Sequence, residues 1–348
     1  MLKLYYFLIA PLGMLLMAYG YLKVAAKLNL YDHPVGRSSH NNRTITGYGI
    51  FVLLGLFLYS IIYPFTLSSY FIIGLVMMAT ISFIDDIVFV KHFIRLIFQL
   101  FALILLAIDL PFDYITTDKL PLIIASVIFG IGVLNAFNFM DGINGMLGLN
   151  SLVILVSFWW LNNHTYDTSG HEITFITNEF IYTLIIGVSI FLFFNLRKKA
   201  VAFAGDVGSI SIAFVIFYLM VNLIFATGNY AYLLLFVVIG IDAALTVIFK
   251  LLLRENIFVP HRDFLFKKLV HVGKYKHVNI SIIYAMVQAF LSIIVIALPL
   301  QNKLSAQLSI LFIVVVGLCS TYIIIRNKYT KKRVIKSLQR EANIIEED

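Results

Sequence analysis

VGSISIAFVIFYLMVNLIFA, residues 207–226, contains no charged side chain. A helix needs about 20 mostly apolar residues to cross the hydrocarbon of a bilayer, and this run meets that length. The chain repeats the pattern. Comparable runs lie near 4–27, 47–65, 68–84, 93–110, 119–137, 145–162, 179–195, 230–252, 279–299 and 304–325. With 207–226 they predict an all-α, polytopic transmembrane bundle of about 11 helices. The run from Leu4 to about Ala26 is too long for the apolar core of a cleaved signal peptide and reads as the first span.

Composition agrees. The 348 residues are 61% hydrophobic and 13% charged, with a mean hydropathy of +0.95. Soluble domains carry about a quarter charged residues. Little chain lies outside the apolar runs, so a single transmembrane domain over 1–325 is expected, followed by a basic-then-acidic tail over 326–348. Cys319 is the one cysteine and lies in an apolar run, which excludes a disulfide framework and a thiolate metal site.

The net charge of +8 does not indicate nucleic acid, because the basic residues sit in short loops between apolar segments. Eleven crossings with the Arg326–Arg340 tail inside place every one of the 26 lysines and arginines but Lys3, Lys119 and Lys303 on or beside one face. The positive-inside rule makes that face cytoplasmic, giving an N-out, C-in topology. A wrong crossing number would scramble the sorting.

Five polar features fall on that face. They are Asp32 to His40, closing with Thr46-Gly47-Tyr48-Gly49; Asp85-Asp86 with Lys91, Arg95 and Gln99; and Asn135 to Gly145, which includes Asn138 and Asp141. The last two are Phe203-Ala-Gly-Asp206-Val-Gly-Ser209, and the basic stretch Arg254 to His277 with His261-Arg262. Each has an ordinary reading. Asn-Gly clusters form turns, Asp206 would cap the helix that follows, and the basic stretch would meet anionic headgroups. Their conjunction is the signal, because carboxylates are expensive to desolvate at a membrane. Mg²⁺ is typically held by one or two carboxylates together with substrate phosphates. Phosphoryl transfer adds Arg or Lys on the phosphate oxygens.

At these residues the sequence resembles the polyprenyl-phosphate N-acetylhexosamine-1-phosphate transferases, from Asp32 to about Leu269. That family moves a sugar 1-phosphate from a UDP-sugar to a polyprenyl phosphate and releases UMP. Arg37-Ser-Ser-His40 and the pattern from Asp242 through Lys250 and Arg254 to His261-Arg262 look closest to a bacterial branch that primes O-antigen or capsule-like polysaccharides. The resemblance implies a catalytic group of Asp85, Asp86 and Asp141. It implies metal ligation by Asp206 and Asn138, and substrate contacts from His261, Arg262, Arg37, His40, Asn135, Lys91 and Arg95. It further implies Mg²⁺, with Mn²⁺ as an alternative, and UDP-N-acetylhexosamine and undecaprenyl phosphate as substrates. The bilayer is the setting, a bacterial inner membrane, and the family analogy extends to a homodimer. The sequence departs from the family pattern at Asn144, often Asp; at Phe264, often His; and at Tyr48, usually Gly.

Two other classes fit the sequence less well. A CDP-alcohol phosphatidyltransferase needs further aspartates soon after Asp141-Gly142, yet the next acidic residue is Asp167. A transporter would place several polar groups near the bilayer midplane, where Asp242 stands almost alone. Asp242 is therefore expected to support neighbouring loops.

Overall fold

A computed structural model describes residues 2–32, 43–110, 119–166, 171–256, 263–298 and 303–347, with no side-chain description for 2–5 or 331–347. The apolar runs form α1 (Leu2–Lys27), α2 (Ile50–Ile62), α3 (Ser69–Ile87), α4 (His92–Ile108), α5 (Leu120–Met140) and α6 (Met146–His164). They continue as α7 (Asn178–Asn195), α8 (Gly205–Thr227), α9 (Val237–Leu252), α11 (His277–Ala297) and α12 (Leu304–Glu347), with the short α10 (Leu265–His271) between α9 and α11. Among the described residues the only paired strands are β1 (Tyr31–Asp32) and β2 (Thr44–Ile45), an antiparallel hairpin.

The architecture is the expected all-α polytopic bundle. Among the described residues, nine helices are long and apolar enough to cross a membrane, counting the 3₁₀ turn Tyr230–Phe236 with α9; α2 and α4 are apolar but shorter. At a rise of 1.5 Å per residue, the 13 residues of α2 span only about 20 Å. Its expected start at residue 47 is not helical because Gly47-Tyr48-Gly49 pairs with the chain entering α8. Tyr48 N–H donates to Phe203 O and Gly49 N–H to Ala204 O, each at 3.0 Å. One boundary differs at the other end of the chain: α12 runs unbroken across residue 325, where a tail was expected.

α8, the run quoted first, occupies the centre. Its sequence is apolar on every side, as a fully enclosed helix requires, and it packs against α2, α3, α5 and α6. Phe71 of α3 stacks on Tyr218 and Phe214 of α8 at ring separations of 4.1 and 5.9 Å. Outer helices carry exposed Leu8, Phe57, Phe93, Phe290 and Phe312. In water such a surface would aggregate; in a bilayer it faces acyl chains.

Hydrogen bonds between helix ends fix the alternation. At one end Ser68 Oγ, before α3, donates to Asp109, after α4, and Tyr59 near the end of α2 bonds Thr177, before α7. At the other end Asn195 Oδ1, closing α7, accepts from Gly145 N–H, opening α6. Ser281 Oγ in α11 donates to Asn144 O. This second end collects the carboxylates.

Asp242 supports neighbouring structure, as expected. It is buried in α9 and accepts from the Leu265 and Phe266 N–H groups at 2.8 and 3.2 Å and from the Tyr284 hydroxyl at 2.7 Å. A short helix cannot satisfy its own first amides; Asp242 does so and fixes α10 between α9 and α11.

Candidate active site

The site forms where α3 and α5 end and α4 and α8 begin. Asp85 and Asp86 lie in the last turn of α3, Arg95 in the first turn of α4, Asn138 in the last turn of α5, and Asp141 just beyond it. Asp206 is the second residue of α8. Side chains from four helices therefore meet without a long loop to hold them, and rigid elements set their positions.

Two functions separate within this cluster. Asp86 and Asp141 serve the N-terminus of α8. Asp86 Oδ1 accepts from Asp206 N–H at 2.9 Å and its Oδ2 from Val207 N–H at 3.0 Å. Asp141 Oδ2 accepts from Gly205 N–H at 2.8 Å and its Oδ1 from Ala204 N–H at 3.2 Å. Four consecutive amides, which a helix start leaves unpaired, are thereby satisfied by two carboxylates at the positive end of the helix dipole. This geometry assigns Asp86 and Asp141 the positioning of Asp206.

The second group faces inward. Arg95 Nη1 donates to Asp85 Oδ2 and, at 2.5 Å, to Asp206 Oδ2. Asn138 Nδ2 donates to Asp206 Oδ1 at 2.7 Å and to Ser209 Oγ at 3.1 Å. Asp85 Oδ1 accepts from Val90 N–H at 2.7 Å, which turns α3 into α4. Two carboxylates thus converge on one cationic group.

Glycines make the approach possible. Gly205 has φ +72°, and a Cβ there would stand 2.5 Å from Gly47 N and 2.6 Å from Asp86 Oδ2. Beyond it the backbones of Gly49 and Gly208 cross so closely that a Cβ on Gly49 would reach 2.1 Å from Gly208 Cα. Gly205→Ala is expected to cost at least 1–3 kcal/mol from the left-handed backbone alone. Thermal unfolding in detergent measures it; an unchanged midpoint would show that the turn relaxes freely.

The other expected residues fall as follows. Asn135 turns its amide to Gln99 Oε1 at 3.0 Å and to Ile131 O, tying α5 to α4 one turn from Asn138, so its donors are engaged away from the inward group. Lys91 is exposed at the N-cap of α4, one turn before Arg95. Arg37, His40, His261 and Arg262 lie outside the described residues. Asn144 donates to Arg197 O at 2.7 Å, a structural bond that needs no carboxylate. Phe264 stacks on Phe139 at 4.8 Å and on Phe266 at 5.4 Å, with the Lys267 ammonium 5.1 Å from its ring centre.

Ser209, Gly208 and Gly49 stand in the motifs read from the sequence, but the Asn138–Ser209 bond and the Gly49–Gly208 crossing come only from the fold. Ser209 stands one turn after Gly205, and its hydroxyl donates to the Gly205 carbonyl at 2.9 Å. That helical spacing was the available signal.

Burial pushes the Asp141 carboxyl up to about 7; the Gly205 and Ala204 N–H groups oppose this, while the charges of Asp206 and Asp32 add to it. A carboxyl raised on folding contributes stability that is complete below its ordinary value of 3.8 and is lost as pH rises through about 7. The unfolding midpoint is therefore expected to fall between about pH 4 and pH 7, and Asp141→Asn to flatten that slope. Equal slopes in the two proteins would remove Asp141 as the cause.

The bundle and this cluster define a polytopic membrane protein whose polar centre is built from helix ends at one end of the bundle. Comparison with known proteins carries the identification further. Residues 68–224 match the model of glycosyl transferase family 4, a segment that contains every side chain of the cluster. Over that segment the chain is similar to this family, and together with the relative below the match supports a phosphotransferase enzyme. It is also similar to a Bacillus subtilis (strain 168) protein described as "Probable undecaprenyl-phosphate N-acetylglucosaminyl 1-phosphate transferase". The two are 21% identical over 287 residues, 75% of each chain.

Proposed function

We propose that the protein transfers an N-acetylhexosamine 1-phosphate from a UDP-sugar to a polyprenyl phosphate at the cytoplasmic face of a bacterial inner membrane, as the first membrane step of a surface polysaccharide. The observation that carries this reading is the convergence of Asp85, Asp206, Asn138 and Arg95 at one end of a lipid-exposed bundle. There a membrane phosphate and a soluble nucleotide both have access.

The donor set fits a divalent cation. Two carboxylates and one amide share a centre in which Arg95 balances only one of the two negative charges. Mg²⁺ is typically held by one or two carboxylates together with substrate phosphates. Asp206 and Asp85, with Asn138 beside them, would hold Mg²⁺, which would supply charge neutralisation on the donor pyrophosphate.

In the reaction an oxygen of the acceptor phosphate forms a bond to the β-phosphorus of the donor. The bond from that phosphorus to the bridging oxygen breaks, and UMP leaves with the electron pair. A phosphate monoester is already largely ionised near pH 7, since its second pKa is about 6. No side chain has to take a proton from it. The residues' task is placement and charge: Arg95 on phosphate oxygens, Asp206 and Asp85 on the cation, and Asp86 and Asp141 holding α8 in register.

Membranes carrying the protein should convert labelled UDP-N-acetylhexosamines and undecaprenyl phosphate into lipid-linked sugar and UMP when Mg²⁺ is present. A panel of donors identifies the sugar. UDP-sugar turnover without lipid-linked product, or transport into vesicles, would replace this reading.

A further inference from the structure

Arg95 is placed unusually for a residue that binds substrate. A single nitrogen, Nη1, holds both Asp85 Oδ2 and Asp206 Oδ2, while Nε is buried and, among the described residues, has no hydrogen-bond partner. The other two carboxylate oxygens are already engaged, Asp85 Oδ1 by Val90 N–H and Asp206 Oδ1 by the Asn138 amide. The oxygens that could bridge to one ion are the pair Arg95 occupies.

We propose that Arg95 is the site's resident counter-ion, standing where a divalent cation binds, and that cation binding displaces it onto an incoming phosphate. This rests on the metal-dependent transfer proposed above. Without a cation, two facing carboxylates would repel across a poorly hydrated centre, and the guanidinium removes that cost. A divalent cation claims the same two oxygens and releases a guanidinium with its full set of donors. The donor's pyrophosphate is the anion that matches it, and a planar fork of N–H groups grips phosphate oxygens in pairs. The arrangement makes cation and nucleotide bind cooperatively. A cation alone must expel Arg95 with nothing to receive it; together with a nucleoside diphosphate, the displaced charge finds a partner. By linkage each ligand strengthens the other equally.

The test uses the full chain in nanodiscs and follows Mn²⁺ by the electron paramagnetic resonance of the free ion, with and without UDP. Arg95→Gln is expected to bind Mn²⁺ about ten-fold more tightly than the wild type when UDP is absent, because the competitor is gone. It should also lose most of the gain that UDP gives the wild type. Arg95→Lys, which keeps a charge but not the fork, should fall between. Asp206→Asn serves as the separate check on the metal site. If it binds Mn²⁺ as the wild type does, the cation sits elsewhere and the proposed site fails. If Asp206→Asn loses Mn²⁺ while Arg95→Gln and Arg95→Lys bind it no more tightly than the wild type, the metal site stands and the counter-ion role of Arg95 is wrong. Size-exclusion profiles in EDTA establish that each variant is folded, and the lysine variant decides the matter should the glutamine variant not fold.

Discussion

Asp206→Asn should lower the transfer rate by about 10³-fold or more, the scale on which removal of a single preorganised electrostatic group acts. The side chain is the meeting point of the inward group: Arg95 reaches its Oδ2 and Asn138 its Oδ1. Asparagine keeps the shape and removes the charge, so the loss reports electrostatics and ligation more than packing. Its backbone N–H still finds Asp86, so α8 should keep its position. Initial rates over a range of Mg²⁺, together with an unfolding curve, separate the outcomes. A folded variant that transfers at the wild-type rate with unchanged Mg²⁺ dependence would take Asp206 out of the site.

Asp86→Ala carries the second large effect, and its signature differs. Removing this carboxylate leaves the Asp206 and Val207 amides without acceptors at the start of the most enclosed helix of the bundle. A buried unpaired amide costs about 1–3 kcal/mol, so roughly 2–6 kcal/mol of stability is at stake. Activity should fall as well, because Asp206 follows the helix start when it shifts. Asp86→Asn distinguishes positioning from acid–base chemistry. If Asp86 holds α8, the asparagine variant is less stable and slower, and its pH–rate profile keeps the wild-type shape. If Asp86 handles a proton, a limb of that profile disappears with stability little changed.

The reach of the sequence is visible at these residues. Apolar runs gave the helices because a bilayer imposes a length that composition alone reveals. They overestimated α2, whose first expected residues are drawn into pairing with the entry to α8. They passed over α10, where seven residues depend on Asp242 for their first amides. The helix-end hydrogen bonds show α2 antiparallel to α7, α3 to α4 and α6 to α7.

Within the site, the sequence placed Asp85, Asp86, Asn138, Asp141 and Asp206 at one end of the bundle, since each ends or begins an apolar run. It could not divide them. All four carboxylates look alike in a string of letters, and adjacent Asp85 and Asp86 most of all. Successive helical residues point about 100° apart, so one of the pair turns to Arg95 and the other to the amides of α8. The run from 207 to 226 shows the same limit. Its length and lack of charge determined that it crosses a membrane. That it would be the enclosed centre, with the backbone of Gly208 against Gly49 and its first amides held by two carboxylates, was decided by the packing of its neighbours. Those contacts join residues far apart in the chain, and only the folded bundle brings them within reach.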